Sequence, residues 1–314
     1  MRKTFASYLL EKAVVDEKII LVTGDLGYGV LDEFAETLPN QYLNLGVTEQ
    51  SSISFCAGLA AKGFRPFFYS IANFPTFRCL EQIRNDICYM RLPVTIVAVG
   101  AGFTYNSLGY SHHAVEDIAV MRSLENISIY SPSSNRTVMS SIDKILSKLE
   151  PSYLRLGLST DVAIEDNLIS ETHTEINSEI VICFTGSMAS FASNLASLLF
   201  DSPFSVSIRE VFELTYDSIL KNLQDFREVS LIVTLEEHSV NGGLGTFFLE
   251  TLNKESLEIQ VLRVGIEKTQ SDKYYPREDL LELSGINIDE AAKEIVKFLT
   301  ALEASKLERD FNDT

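Results

Sequence analysis

Short continuous runs of apolar, mostly β-branched residues alternate along this chain with segments of helical period, and that alternation leaves few folds open. Runs at residues 18–23, 94–100, 127–130 and 153–156 are bounded by turn residues and read as strands. Strands apolar on both faces must be covered on both faces, so the pattern predicts parallel sheets clothed by helices. From Phe74, the residues Phe77, Leu80, Ile83, Ile87 and Met90 recur every three or four positions, which predicts one helical face that stops near Pro93. A polar stretch over 159–178 carries few large apolar residues and reads as a connection. Beyond it the alternation restarts, with strands expected at 179–184, 204–209, 231–235 and 259–264 and helices at 188–199, 245–252 and 289–302. The expectation is an α/β protein of two three-layer α/β/α domains, 1–160 and 179–314, joined by a linker at 161–178.

Composition narrows the function. With 314 residues and 46% hydrophobic content the chain can bury a large core. Its net charge of −18 repels phosphate backbones and acidic lipid headgroups, which argues against nucleic acid and membrane partners. A phosphorylated small substrate would need locally placed cations. Cys56, Cys79, Cys88 and Cys183 fall at irregular spacings without a CxxC pair, which fits reduced thiols in a cytoplasmic interior and argues against zinc. No apolar run approaches the roughly 20 residues of a membrane helix. The stretch 5–10 is too short for a secretory signal and reads as an amphipathic first helix.

Gly24-Asp25-Leu26-Gly27-Tyr28-Gly29 follows the first strand, but its GxxGxG spacing is not the GxGxxG of a dinucleotide loop. A second glycine turn, Asn241-Gly242-Gly243-Leu244-Gly245, reads as close packing in preference to phosphate binding. In Gly46-Val47-Thr48-Glu49-Gln50, Thr48 suits a helix N-cap and Glu49 a first-turn acid complementing the helix dipole. If Glu49 faced an apolar cleft, desolvation would raise its pKa and make it a proton donor to a bound heterocycle. Adjacent His112 and His113 project about 100° apart on a helix and cannot share a metal, so one reads as an active-site group and the other as a surface residue. The sequence has no GxSxG elbow, Walker loop or HExxH.

Taken in order, Asp25-Leu26, the segment 46–50, Glu81-Gln82-Ile83-Arg84-Asn85, Ser111-His112 with 116–122, the segment 153–157 and Glu237-His238-Ser239 with the turn 240–245 resemble the C-terminal half of transketolase. The resemblance is greatest to the smaller chain of transketolases split into two polypeptides. It implies a thiamine diphosphate enzyme, with a pyrimidine-binding domain followed by the family's C-terminal domain. By resemblance, Glu49 bonds N1′ of the aminopyrimidine and drives the imino tautomer that deprotonates the thiazolium carbon. Phe74 stacks on the ring with Phe77 a turn later, while Asp25 and Leu26 border the cofactor. His112 contacts the donor sugar, and Arg155 can bind a sugar phosphate. The chain departs from the family at Ile71, where an aromatic is usual, at Gly100, near another family histidine, and at Leu108, where an aspartate selects hydroxyl configuration.

The sequence lacks the GDG motif that holds the diphosphate and its metal. The resemblance therefore implies a partner, a diphosphate-binding N-terminal subunit that carries Mg²⁺, in a heterotetramer with two copies of each chain acting on sugars. Two other readings stand beside ketol transfer. One is the β chain of a 2-oxo acid dehydrogenase or a deoxyxylulose-phosphate synthase relative, and the other is a non-catalytic scaffold.

Overall fold

The structure, a computed structural model, describes residues 1–158, 175–268 and 274–312, with side chains described as far as residue 301. Six strands come from the first half: β1 (Ile19–Thr23), β2 (Tyr42–Asn44), β3 (Arg65–Ile71), β4 (Thr95–Val99), β5 (Ser128–Tyr130) and β6 (Ser152–Leu156). Seven follow: β7 (Ile176–Asn177), β8 (Ile180–Thr185), β9 (Val206–Glu210), β10 (Glu213–Leu214), β11 (Phe226–Arg227), β12 (Leu231–Ser239) and β13 (Gln260–Ile266). They form a seven-stranded sheet ordered β10-β5-β6-β4-β3-β1-β2, a four-stranded sheet ordered β13-β12-β8-β9, and the pair β11-β7. Among the described residues every strand pairing is parallel except β10 with β5, so the chain is α/β with mostly parallel sheets, as the continuous apolar runs require.

Strand alternation divides the large sheet's side chains between two cores. Ile20, Val22, Phe68, Ile96 and Ala98 enter one, while Ile19, Leu21, Phe67, Tyr69, Val97 and Val99 enter the other. The second core is closed by the first helix, Arg2–Val15, through Phe5, Leu9 and Ala13, and by the helix Asn135–Lys148, whose capping box at Ser134 contributes about 1 kcal/mol. The first core continues to the smaller sheet, taking in Val181, Cys183 and Ile232 together with Phe248 of the helix Leu244–Glu255. Deleting an enclosed ring such as Phe68 would cost about 3–5 kcal/mol.

The connection expected at 161–178 lies outside the described residues as far as 174, and Ile176–Asn177 then pairs with Phe226–Arg227. Residues from beyond the connection also complete the first sheet, where Glu213–Leu214 adds its antiparallel edge. The single helical face expected from Phe74 to Met90 requires correction. Phe74–Arg78 and Ile83–Cys88 are π-helical turns on either side of Leu80–Gln82. Hydrogen bonds reaching five residues along shift the register, so Ile83 and Ile87 stay buried while Phe77 and Met90 are exposed. All four cysteines are free and buried.

Candidate active site

In open parallel sheets, ligand sites lie beyond the carboxyl ends of the strands, where strand order reverses. Here β1 is followed by β2 on one side and β3 on the other, and the loops after β1, β2, β3 and β4 carry the expected site residues except Arg155, which lies within β6. The turn after β1 places Asp25 at a positive φ of 59°. Its amide donates to Asn44 Oδ1 at 2.9 Å, and the Gly46 amide donates to the same oxygen at 3.0 Å. A Cβ on Gly24 would approach the Gly46 carbonyl to 3.0 Å, so the first two loops abut closely. Tyr28 donates its hydroxyl to Asp25 at 2.5 Å, and Leu26 is half-buried against the second core.

Glu49 opens the helix Glu49–Ala61, with Thr48 at the N-cap position. Thr48 makes no side-chain cap; its hydroxyl donates to the Leu45 carbonyl at 2.9 Å. The Glu49 side chain is buried, and its Oε2 lies 2.9 Å from Nη1 of Arg78, a side chain that is itself 48% exposed. The same guanidinium lies over the Phe74 ring, 4.6 Å from its centroid. Gln50 donates to the Arg78 carbonyl at 3.0 Å, which fixes the backbone of that turn to the helix. Burial, and after it the Glu49 charge, pushes the neighbouring Cys79 thiol up to about 12, so it is inert at neutral pH.

Phe74 meets His112 edge to face, with ring centroids 5.5 Å apart. Asn73 fastens the two segments together: its amide donates to the carbonyls of Ser111 and His113, each at 2.9 Å. His112 is half-buried and its Nδ1 lies 3.0 Å from the Ser111 hydroxyl. His113 is no surface residue. It is buried against Phe103 at 5.0 Å, and desolvation lowers its pKa, keeping it neutral. Glu49, Phe74 and His112 therefore form one cluster centred on Phe74, which Arg78 links to Glu49 and whose ring His112 meets at its edge.

The remaining expected residues stand differently. Phe77 is 43% exposed on the π turn, whereas Phe74 is half-buried. Arg155 is enclosed: Nε donates to Asp117 at 2.8 Å, and Nη2 donates to the carbonyls of Ala114 at 2.8 Å and Glu237 at 3.0 Å. Tyr153 donates to the same Asp117 oxygen and lies 3.0 Å from the Thr76 hydroxyl, so this network braces the Phe74 turn from within. Arg78, Asn73 and Thr76 carried no readable signal, because their partners lie in other segments; Gln50 was visible only as part of a motif.

The turn at 241–245 is filled from within the chain. Glu236 accepts the amides of Leu244 at 2.6 Å and Gly245 at 3.0 Å, occupying the helix N-terminus where an anion would bind. Glu237 accepts the Phe103 amide at 2.8 Å and pairs with Arg277 at 2.5 Å, tying the two halves together. Among the described residues no group of three or more His, Cys, Asp or Glu side chains could hold a metal ion, and no helix is long and apolar enough to cross a membrane.

Residues 1–159 match the transketolase pyrimidine-binding domain. This chain belongs to the transketolase family. Among its relatives, a Methanocaldococcus jannaschii chain named for the C-terminal section of transketolase is 31% identical over 95% of both chains. One of the subunits of the apulose-4-phosphate transketolase of Phocaeicola vulgatus is 29% identical over 84% of this chain and 86% of its own. A solved structure of a split-gene transketolase, described as an inactive β4 tetramer, superposes with a TM-score of 0.80 at 28% identity, covering 94% of this chain and 97% of that one. The transketolase-family chain is thus a split-type, transferase-family subunit carrying the pyrimidine-binding domain, and family membership implies thiamine diphosphate.

Proposed function

We propose that the chain is the pyrimidine-binding subunit of a two-chain enzyme that moves a two-carbon ketol unit from a ketose to an aldose. One observation carries the reading: a buried carboxylate, Glu49, and an aromatic face, Phe74, are held together around one planar cationic group, with His112 beside them. An aminopyrimidine asks for the same surroundings, a carboxyl group to share a proton with a ring nitrogen and a flat face to stack on. When bound, thiamine diphosphate supplies the nucleophilic carbon that ketol transfer requires.

In this reading Glu49 holds a proton between its carboxyl oxygen and the ring N1′, where enclosure from water strengthens the contact. Phe74 orients the ring, and Leu26 with Asp25 borders it. His112, fixed by Asn73 on both sides, is placed to hydrogen-bond a sugar oxygen. Phe77, exposed on its turn, belongs to the cofactor's outer margin. Arg155 is assigned to bracing the site and not to a sugar phosphate, since its Nε and Nη2 are committed to protein acceptors. The chain resembles split-type subunits and has no GDG motif, so we assign the diphosphate and Mg²⁺ site to a partner chain. Two copies of each chain in a cytoplasmic enzyme complete the proposal. The separate sheets before and after the connection support a division into pyrimidine-binding and C-terminal domains, although β10 crosses it.

Calorimetry on the two-chain complex tests this. Thiamine diphosphate with Mg²⁺ should bind the parent complex and bind the Glu49→Gln complex more weakly. Equal affinity would remove Glu49 from the cofactor site.

A further inference from the structure

The Arg78 guanidinium is planar, cationic and a hydrogen-bond donor. It lies 4.6 Å from the Phe74 ring centroid and 2.9 Å from Glu49 Oε2. Any aromatic ring that is to stack on this face of Phe74 and also bond Glu49 needs that space. An intervening ring would hold the guanidinium about 7 Å from Phe74, two van der Waals contacts of about 3.5 Å each. The observed spacing admits no such layer. Arg78 and an aminopyrimidine are therefore alternative occupants of one site.

We infer that Arg78 is a gate residue: its side chain stands in for the aminopyrimidine, pairs with Glu49 and covers Phe74, and swings out when the cofactor enters. The inference rests on the cofactor reading above. Two features make the side chain a displaceable plug and not a fixed bracket. Its backbone carbonyl is held by Gln50, so only the side chain has to move, and nearly half of that side chain already meets solvent at the rim. A partly exposed ion pair and a partly exposed cation–π contact are each weak, enough to order the empty site without locking it. The fraction of chains with Arg78 turned out limits the apparent affinity for the cofactor.

Arg78→Met keeps the bulk of the stem and removes both contacts. In calorimetry on the assembled two-chain complex with Mg²⁺, this variant should bind thiamine diphosphate roughly tenfold more tightly than the parent. Arg78→Lys, which keeps the charge but loses the flat face, should bind about two- to threefold more tightly. Unchanged or weaker binding by Arg78→Met overturns the gate; should that variant fail to assemble, the sign of the Arg78→Lys change decides. A structure of the loaded parent complex gives a second reading. The guanidinium should have left the Phe74 ring, and one still stacked there with cofactor bound would overturn the proposal. If the parent complex takes up no thiamine diphosphate, the cofactor reading falls and the gate with it; uptake without gain in the variants removes the gate alone.

Discussion

Glu236 and Glu49 are both buried at or near the start of a helix, and the way each is satisfied separates a binding group from a structural one. Glu236 is fully enclosed and accepts two backbone amides of the helix Leu244–Glu255, with His238 at 3.8 Å. A Cβ on Gly243 would fall 1.9 Å from its Oε2, so no ligand atom can approach by that route. Glu49 is nearly as buried, but among the described residues its partner is a side chain that reaches in from the solvent. An acid bonded to its own backbone is committed by the fold itself. One bonded to a half-exposed arginine can change partners for the cost of a rotation.

The largest expected effect tests the available acid. Glu49→Ala should lower turnover of the two-chain enzyme by about 10³-fold, within the range for loss of a general acid–base group, while thermal unfolding shifts little. Retained turnover would place Glu49 with Glu236 as a structural group.

The committed acid should show itself through pH. Burial raises the Glu236 pKa from 4.5 to about 7 against the pull of its two amides, so the folded chain keeps a proton that the unfolded chain releases. Stability from this group is complete below about 4.5 and is lost as pH rises through 7. Burial lowers His238 from 6.5 to about 4, so its contribution is complete above 6.5 and is lost as pH falls through 4. Between 4.5 and 6.5 the two slopes oppose each other. Glu236→Gln removes only the first, and its stability relative to the parent should fall by about 2–3 kcal/mol on going from pH 6.5 to 4.5. Denaturant unfolding at both pH values measures this, and parallel behaviour of variant and parent would show that Glu236 is ionised in the fold.

Much of this fold was legible because burial on both faces forces continuous apolar strands, and β1, β4, β6, β8 and β13 fall within a residue or two of their expected places. The strand β3 was not, since it begins Arg65-Pro66 and continues with aromatic residues in place of a β-branched run. Nor was the far end of β12, where Glu236, Glu237 and His238 look like a charged surface and are enclosed because amides and Arg277 meet them there. The site was half legible. Glu49, Phe74 and His112 sit in motifs whose order carries information, whereas the π turns that expose Phe77 and the pairing of Arg78 with Glu49 depend on how segments pack.

Smaller effects sharpen the boundary between the two kinds of residue. Asn73→Ala frees the His112 segment beside Phe74 and should lower kcat/KM about tenfold while leaving cofactor affinity within about twofold. An equal loss in cofactor affinity would instead mean that Asn73 holds the ring site together. Tyr153→Phe removes the hydroxyl between Thr76 and Asp117 and should cost about 1 kcal/mol in stability, read as a lower Tm with near-parent turnover. A large loss of turnover would move that network into the site.

The most direct test is a structure of the two-chain complex with thiamine diphosphate and Mg²⁺ bound. The account predicts the Glu49 carboxyl within about 2.6–3.2 Å of the ring N1′, with Phe74 stacked on the pyrimidine. A pyrimidine seated elsewhere, with Glu49 still paired to Arg78, would contradict it.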